Sequence, residues 1–421
     1  MRTAPWQDDA DRFAEALSPR FMGPRLAAAL GADGPTHVLD AKFEPGLRAE
    51  LLYEHAGQLV RGDLVPTGTP AHGGAGVVEP GVVLSPFPHD PDLPGLPAVM
   101  DPATLADALT GALPVMPDTR PLTARCRVRL LRYRPGKRAT VLVTGGGASY
   151  IAKVYHQEHK AAAVAQEAPR LLGAAPRHGE LAFAPVAGVV PGLRVVVQHV
   201  VAGTPLDSLI GSRGTTAVGL AGAVERAAQA LAEFHALPLV SGRVRPVDAE
   251  LHRFTLRADR IATVDPVLGR AAARLAHRLT RVHTHLPAPR TGTVHGDCKP
   301  SQFLLSADRV HLLDLDHCGT SDQAGDVGTF LATLRQLEVR HSLAGRLPVG
   351  ATAFAGSAEL FLCAYLRSAG PGRDLARIRW QEAVALERKA LRAFARAPRS
   401  PLAGALIDEA QRCLDNLKEA A

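Results

Sequence analysis

Asp297, Gln302 and Asp314 follow one another at intervals of five and twelve residues in a chain of 421. They stand in Val294-His295-Gly296-Asp297-Cys298-Lys299-Pro300-Ser301-Gln302 and in Leu312-Leu313-Asp314-Leu315-Asp316. Phosphoryl transfer from a metal-bound nucleotide calls for these parts. One carboxylate takes the proton of the attacking hydroxyl, while an amide oxygen and a further carboxylate hold magnesium against the phosphates. Two short apolar runs, Phe303-Leu304-Leu305 and Val310-His311-Leu312-Leu313, flank the turn Ser306-Ala307-Asp308. That pattern predicts a hairpin, with Gln302 and Asp314 at neighbouring strand ends. His295, Cys298, His311, His317 and Cys318 also cluster in sequence and raise zinc as an alternative, but the phosphoryl-transfer pattern already accounts for the segment.

The segment resembles the catalytic segment of the aminoglycoside phosphotransferase family, whose pattern is H-G-D-x-x-x-x-N followed by I-D. His295, Gly296, Asp297 and Asp314 fall on that pattern. Gln302 stands where the family usually has asparagine; it keeps the amide oxygen and adds one methylene, and D-x-D replaces the simpler I-D. The resemblance implies an α+β, protein-kinase-like two-lobed fold, with a small antiparallel-sheet lobe and a large, mainly helical lobe. It further implies ATP and Mg2+ as cofactors and a small-molecule hydroxyl as acceptor. Asp297 becomes the catalytic base and Gln302, Asp314 and Asp316 the metal residues, Asp316 being alternatively an acceptor contact.

These groups need a sheet that holds the nucleotide. Arg127 to Tyr133 alternates basic and apolar side chains, as a strand with one exposed face would. Arg134-Pro135-Gly136-Lys137-Arg138 turns the chain, Ala139 to Thr144 runs back, and Ser149 to Tyr155 follows a glycine turn. In the resembling family, the lysine of the third strand pairs with nucleotide phosphates, which is the role implied for Lys153. A helix predicted over about 159–172 carries Glu167, expected to brace Lys153. The turn at Gly136 lacks a full G-x-G-x-x-G, yet its amides and Lys137 or Arg138 would cover the phosphates. Gln198, His199 and Val200 match the family's hinge, where main-chain groups meet the adenine edge.

From residue 206 the pattern is helical. Val224 to Ala236 repeats apolar residues at helical spacing and stops at Pro238. His235 is expected to be a packed structural histidine. Asp326 is expected to be a helix N-cap, and the resemblance implies that it braces the catalytic loop. Helices are also predicted over 380–396 and 402–418.

The first 120 residues hold an internal echo. Phe43 to Tyr53 parallels Tyr133 to Val143 at a constant offset of 90, and the match continues to Val60–Leu64 opposite Tyr150–Val154. Residues 36–66 are therefore expected to form a sheet like the small lobe, with Asp63 in place of Lys153. A Pro-rich passage from Pro86 to Pro94 is expected to be an extended connector. The organisation expected is a cap over 1–120, a small lobe over 121–202 and a helical large lobe over 203–421.

A net charge of +7 without dense Lys/Arg runs, and few aromatic residues, gives no nucleic-acid surface. No apolar run approaches the roughly 20 residues that span a bilayer, and residues 1–9 lack a signal layout, so a cytoplasmic protein is expected. Five scattered cysteines give neither a disulfide framework nor a zinc ribbon. The function expected is transfer of the γ-phosphoryl group of ATP to a small-molecule hydroxyl. The alternative is a catalytically silent, pseudokinase-like binding protein, motivated by Gln302 and the degenerate phosphate loop. A kinase of protein substrates is disfavoured, since neither D-F-G nor A-P-E is present and the gap between Asp314 and Asp326 is short.

Overall fold

A Pro-Gly turn opens each of two sheets. Gly46 and Gly136 both take positive φ, 75° and 63°, a region that glycine enters without steric cost. In the computed structural model, which describes residues 5–65, 77–113, 122, 123, 125–212, 214–238, 246–345 and 349–419, the first turn joins β1 (Thr36–Glu44) to β2 (Arg48–His55). With β3 (Gln58–Leu64), β4 (Val77–Val78) and β5 (Val82–Pro86) they make an antiparallel sheet in the order β1-β2-β3-β5-β4. The second turn joins β6 (Arg127–Arg134) to β7 (Arg138–Gly145), and β8 (Ala148–Tyr155) follows. After a helix and the two-residue β9 (Leu181–Ala182) come β10 (Val186–Val190) and β11 (Val195–His199). The order here is β6-β7-β8-β11-β10, the same path.

The register repeats as well. Glu44 pairs with Arg48, and Arg134 with Arg138; Glu50 pairs with Asp63, and Thr140 with Lys153. Asp63 then faces Val83 of β5, while Lys153 faces Val196 of β11. The sheets differ in where the first strand bulges, between Val38 and Asp40 in one and between Leu130 and Arg132 in the other.

Helices α1 (Pro5–Ala16) and α2 (Pro19–Leu30) precede the first sheet, and α3 (Leu96–Met100) and α4 (Pro102–Thr110) follow it. α5 (Glu158–Ala174) follows β8, and α6 (Leu206–Leu209) opens the helical part. That part comprises α7 (Ala217–Ala236), α8 (Val247–Ala262), α9 (Pro266–His283), α10 (Ala324–Leu343), α11 (Val349–Ala369), α12 (Leu375–Arg396) and α13 (Leu402–Glu419). Thr216, Asp265 and Asp374 cap α7, α9 and α12 with side-chain oxygens, satisfying first-turn amides that have no partner within the helix. β12 (Thr204–Pro205), β14 (Phe303–Leu305), β15 (Val310–Leu312) and β9 form a small sheet, and β13 (Thr291–Val294) pairs with β16 (Gly319–Asp322).

Three large apolar cores divide the described residues, and a small fourth cluster of Tyr155, Ala161, Val164 and Val196 lies between the second sheet and α5. The first sheet packs with α1, α2, α8, α9, α12 and α13 through Phe13, Phe43, Phe254, Trp380 and Phe394. The second sheet shares a core with α3 and α4. A third core joins α5, α7, α10 and α11 to the β14–β15 hairpin, where Phe330 and Phe361 stack at 3.6 Å. The N-terminal sheet is thus built into the helical body. Among the described residues no helix is long and apolar enough to cross a membrane.

Some expectations shift. The Pro86–Pro94 passage turns at Pro86–His89 and Asp90–Leu93 rather than running extended, because its aspartates are drawn back to Arg61. α12 starts five residues before Trp380, at the Asp374 cap. The boundary expected between residues 120 and 121 lies outside the described residues, as do the first four residues.

Candidate active site

β13 leads into the loop that carries His295, Gly296 and Asp297, and Asp326 holds it. The Asp326 carboxylate accepts the main-chain N–H groups of His295 at 2.6 Å and Gly296 at 2.8 Å. It also lies 3.1 Å from Nε2 of His235, whose Nδ1 is 2.8 Å from the Tyr365 hydroxyl. Asp326 is therefore not an N-cap: α10 begins at Ala324, and the carboxylate, two residues inside, caps the loop instead. Burial alone would raise its pKa, but the His235 hydrogen bond and charge outweigh that and lower it. Burial lowers His235. His235 is buried, as expected. His295 donates from Nε2 to the Leu313 carbonyl at 2.8 Å and accepts the Asp297 N–H at Nδ1, tying the loop to the hairpin.

Asp297 faces the cleft and is bonded by the Lys299 ammonium at 2.5 Å. Burial pushes the carboxyl up, but the Lys299 charge and hydrogen bond, then His295 and Arg392, bring it below its ordinary value. The group is a carboxylate at neutral pH, fit to orient a hydroxyl and take its proton.

The hairpin forms as predicted. Phe303 pairs with Leu312, and the Leu313 N–H donates to the Gln302 carbonyl at 2.8 Å. Gln302, buried, sits at the hairpin's foot, and Asp314 follows with φ 63°, a left-handed conformation. Asp314 and Asp316 both accept from Nη1 of Arg138, and Asp314 accepts from Nη2 as well, at 3.0 Å. Lys153 Nζ lies 3.3 Å from Asp314 and 3.6 Å from Asp316, and Tyr155 donates its hydroxyl to Asp316 at 2.9 Å. Against burial, the charges of Lys153 and Arg138 hold Asp314 well below the usual carboxylate range.

Two carboxylates already share one cationic nitrogen, so their oxygens converge closely enough to take a magnesium ion, a hard cation that prefers oxygen ligands. Among the described residues no group of three or more His, Cys, Asp or Glu side chains gathers as metal ligands would. A metal here would rest on Asp314, Asp316 and an uncharged oxygen such as the Gln302 amide, with nucleotide oxygens completing its shell.

Gly136, Arg138, Asp297 and Asp316 line one cleft of about 1170 Å³. One expected contact is not formed. Lys153 pairs with Asp314 and Asp316 rather than with Glu167, which lies on α5 with its Oε1 3.6 Å from Arg170. At the hinge, the N–H groups of His199 and Val200 are taken by the carbonyls of Pro185 and Ser149, while Gln198 is paired between β10 and β8.

Sequence reasoning missed Lys299 as the partner of Asp297, although a lysine two residues from a base was a signal. It also missed a back wall to the turn at Gly136. The Asp90 carboxylate, fully buried, accepts from Arg61 at 2.5 Å, from the Tyr133 hydroxyl at 2.8 Å and from the Gly136 N–H at 2.8 Å. The N-terminal sheet thereby fastens the turn that faces the cleft.

A model of the phosphotransferase enzyme family (APH) matches residues 132–360, more than half of the chain. The chain belongs to that family. The match takes in the Gly136 turn, Lys153, the loop of Asp297 and the hairpin. Among solved structures, the chain is similar to choline kinase from Cryptosporidium parvum Iowa II, at 9% identity over 75% of this chain and 96% of that one, with TM-score 0.50. It is similar to a choline/ethanolamine kinase family protein from Mesorhizobium loti at 17% identity, over 75% and 94%, with TM-score 0.47. It is also similar to amicoumacin kinase hAmiN, solved with AMP-PNP, Ca2+ and Ami, at 15% identity, over 74% and 92%, with TM-score 0.49. No curated protein matches the chain. The fold is the α+β, protein-kinase-like fold of the phosphotransferase enzyme family.

Proposed function

We propose that this member of the phosphotransferase enzyme family transfers the γ-phosphoryl group of ATP to a hydroxyl of a small molecule. The observation that carries the reading is the meeting of Asp297, Asp316, Arg138 and the Gly136 turn in one cleft. Asp297 orients the acceptor hydroxyl and receives its proton. The acceptor oxygen forms a bond to the γ-phosphorus as the bond to the β–γ bridging oxygen breaks, and ADP leaves with that electron pair. Lys153 and Arg138 hold phosphate oxygens and so leave the carboxylates on which they now rest. Asp314, Asp316 and Gln302 hold magnesium, which supplies charge neutralisation on the phosphates. Lys299 keeps Asp297 ionised and pointed into the cleft. Most of the rate gain comes from positioning and from fixed charge.

The test is ADP release by the full chain with Mg-ATP across a panel of hydroxylated small molecules, wild type against Asp297→Asn. Acceptor-dependent ADP release that the variant lacks supports the reading. ATP binding without release for every acceptor would leave the silent, pseudokinase-like protein as the better description.

A further inference from the structure

The wall of the cleft beside Asp297 is built from two helices and the N-terminal sheet, and its charge is one-sided. α8 sends Glu250, Arg253, Phe254 and Arg257 to the cleft at helical spacing, and α12 sends Arg388, Leu391 and Arg392. Glu250 is the carboxylate that the two helices bring to this wall, and it is claimed by Arg388, which grips it with Nε at 2.5 Å and Nη2 at 3.0 Å. Arg253 and Arg392 also act on Glu250, lowering its pKa after Arg388 and against burial. One carboxylate therefore answers three guanidinium groups. Among the described residues neither Arg253 nor Arg392 has an ion pair, and Arg257 reaches only Glu44, at 3.9 Å.

The acidic groups around this wall are already neutralised. Glu44 is shared by Lys42 and Arg48, and Glu50 is met by Arg48; Asp297 is matched by Lys299. Arg392 stands near enough to Asp297 to lower that carboxyl. Arg392 is exposed by surface area, but partial desolvation by the surrounding cleft, then the charges of Arg388 and Arg257, weaken it as a cation. Like charges gathered in a walled cleft repel one another and focus a positive potential that an anionic ligand relieves. Guanidinium groups are also suited to carboxylate and phosphate, which they bind through paired, planar hydrogen bonds.

We propose that the acceptor is an anion: a small hydroxylated molecule whose carboxylate or phosphate is held by Arg253 and Arg392 while its hydroxyl meets Asp297. The proposal rests on the phosphotransferase reading and narrows its substrate class. The wall is unsuited to a polycationic acceptor, whose amines would face guanidinium groups rather than free carboxylates.

The experiment is calorimetric titration of the full chain with gluconate, glucose phosphate, glucose and glucosamine, paired with a phosphoryl-transfer assay on the same four. Wild type, Arg392→Gln, Arg253→Gln and the double variant are compared. Arg253 and Arg392 are exposed and stand on different helices, so the two single variants check each other. The expected result is binding of one or both anions but of neither control, weakened roughly tenfold by each substitution, as loss of one charged hydrogen bond would do. ATP affinity should be unchanged. Carboxylate and phosphate are separated by which anion binds. Binding of glucosamine or glucose as tightly as the anions overturns the proposal, as does no binding of either anion. Weakened ATP affinity in Arg392→Gln also overturns it, by giving these residues to the nucleotide. Transfer to glucosamine would sink the anionic acceptor and leave the phosphotransferase reading standing. Arginine-dependent anion binding without any transfer would keep the anion site and sink that reading.

Discussion

Arg138 grips Asp314 with both terminal nitrogens, at 2.7 and 3.0 Å, and reaches Asp316 with the first of them. A guanidinium thus spans the two carboxylates to which we assign magnesium. Cation and metal compete for the same oxygens, so Arg138→Gln should lower the magnesium concentration needed for half-maximal activity. The shift should be roughly tenfold, the equivalent of one charged hydrogen bond. Activity titrated against magnesium at saturating ATP reads it; an unmoved midpoint would mean that Arg138 withdraws from Asp314 without cost.

Asp297→Asn keeps the shape of the side chain and removes its basicity. Transfer should fall by ~10²–10⁴-fold, the usual worth of a positioned base, with ATP affinity nearly intact. A variant that keeps half of the wild-type rate at saturating acceptor would remove Asp297 from the role given to it.

Gln302→Ala should raise the magnesium requirement, because developing phosphate charge loses part of its neutralisation. Gln302→Asn should share the defect, since the shorter arm falls short of a metal placed for glutamine. Superimposable magnesium curves for the three proteins would make Gln302 a spectator.

Asp90→Ala should cost both stability and nucleotide affinity. Removing this carboxylate takes one of three aspartates from the buried Arg61 guanidinium, strands the Tyr133 hydroxyl and frees the Gly136 amide. Leaving a buried polar group without its hydrogen-bond partner typically costs ~1–3 kcal/mol. Thermal denaturation should show a fall in Tm, and the KM for ATP should rise as the turn loosens. A lower Tm with unchanged KM would confine Asp90 to a structural role.

Glu387 gives a pH signature unrelated to catalysis. It is fully buried on α12, neither carboxyl oxygen has a hydrogen-bond partner, and burial raises its pKa to about 8. A carboxyl with a raised folded pKa holds its proton more tightly when folded. Its contribution to stability is complete below the unfolded value of 4.5 and is lost as pH climbs towards about 8. Across that window the slope is at most ~1.4 kcal/mol per pH unit. Glu387→Gln should flatten the curve there, measured by urea unfolding at a series of pH values. Parallel curves for the two proteins would show that Glu387 ionises without penalty.

The strands and the hairpin were legible because their signals are local. Alternation in Arg127–Tyr133, the Pro-Gly turns and the apolar runs around Ser306 each fix a strand within a few residues. The places of Asp90 and Arg392 were not legible, since a buried carboxylate in a Pro-rich passage and an arginine near the C-terminus look ordinary until the fold brings one behind the Gly136 turn and the other to the cleft. Glu167 failed as a partner for Lys153 for a related reason. A helix places a side chain by its rotation, which sequence spacing does not give, and Asp314 and Asp316 met the ammonium instead.

The shared path of the two sheets lets the molecule act as its own control experiment. Between Phe43–Asp63 and Tyr133–Lys153, the common features that touch nothing at the site are what the architecture demands: the Pro-Gly bend and an alanine facing the third strand. Whatever differs has been left to chemistry. The sign of the charge is reversed between Asp63 and Lys153 at an identical place in the pairing, so the scaffold tolerates either, and the lysine is a matter of what the second sheet must hold.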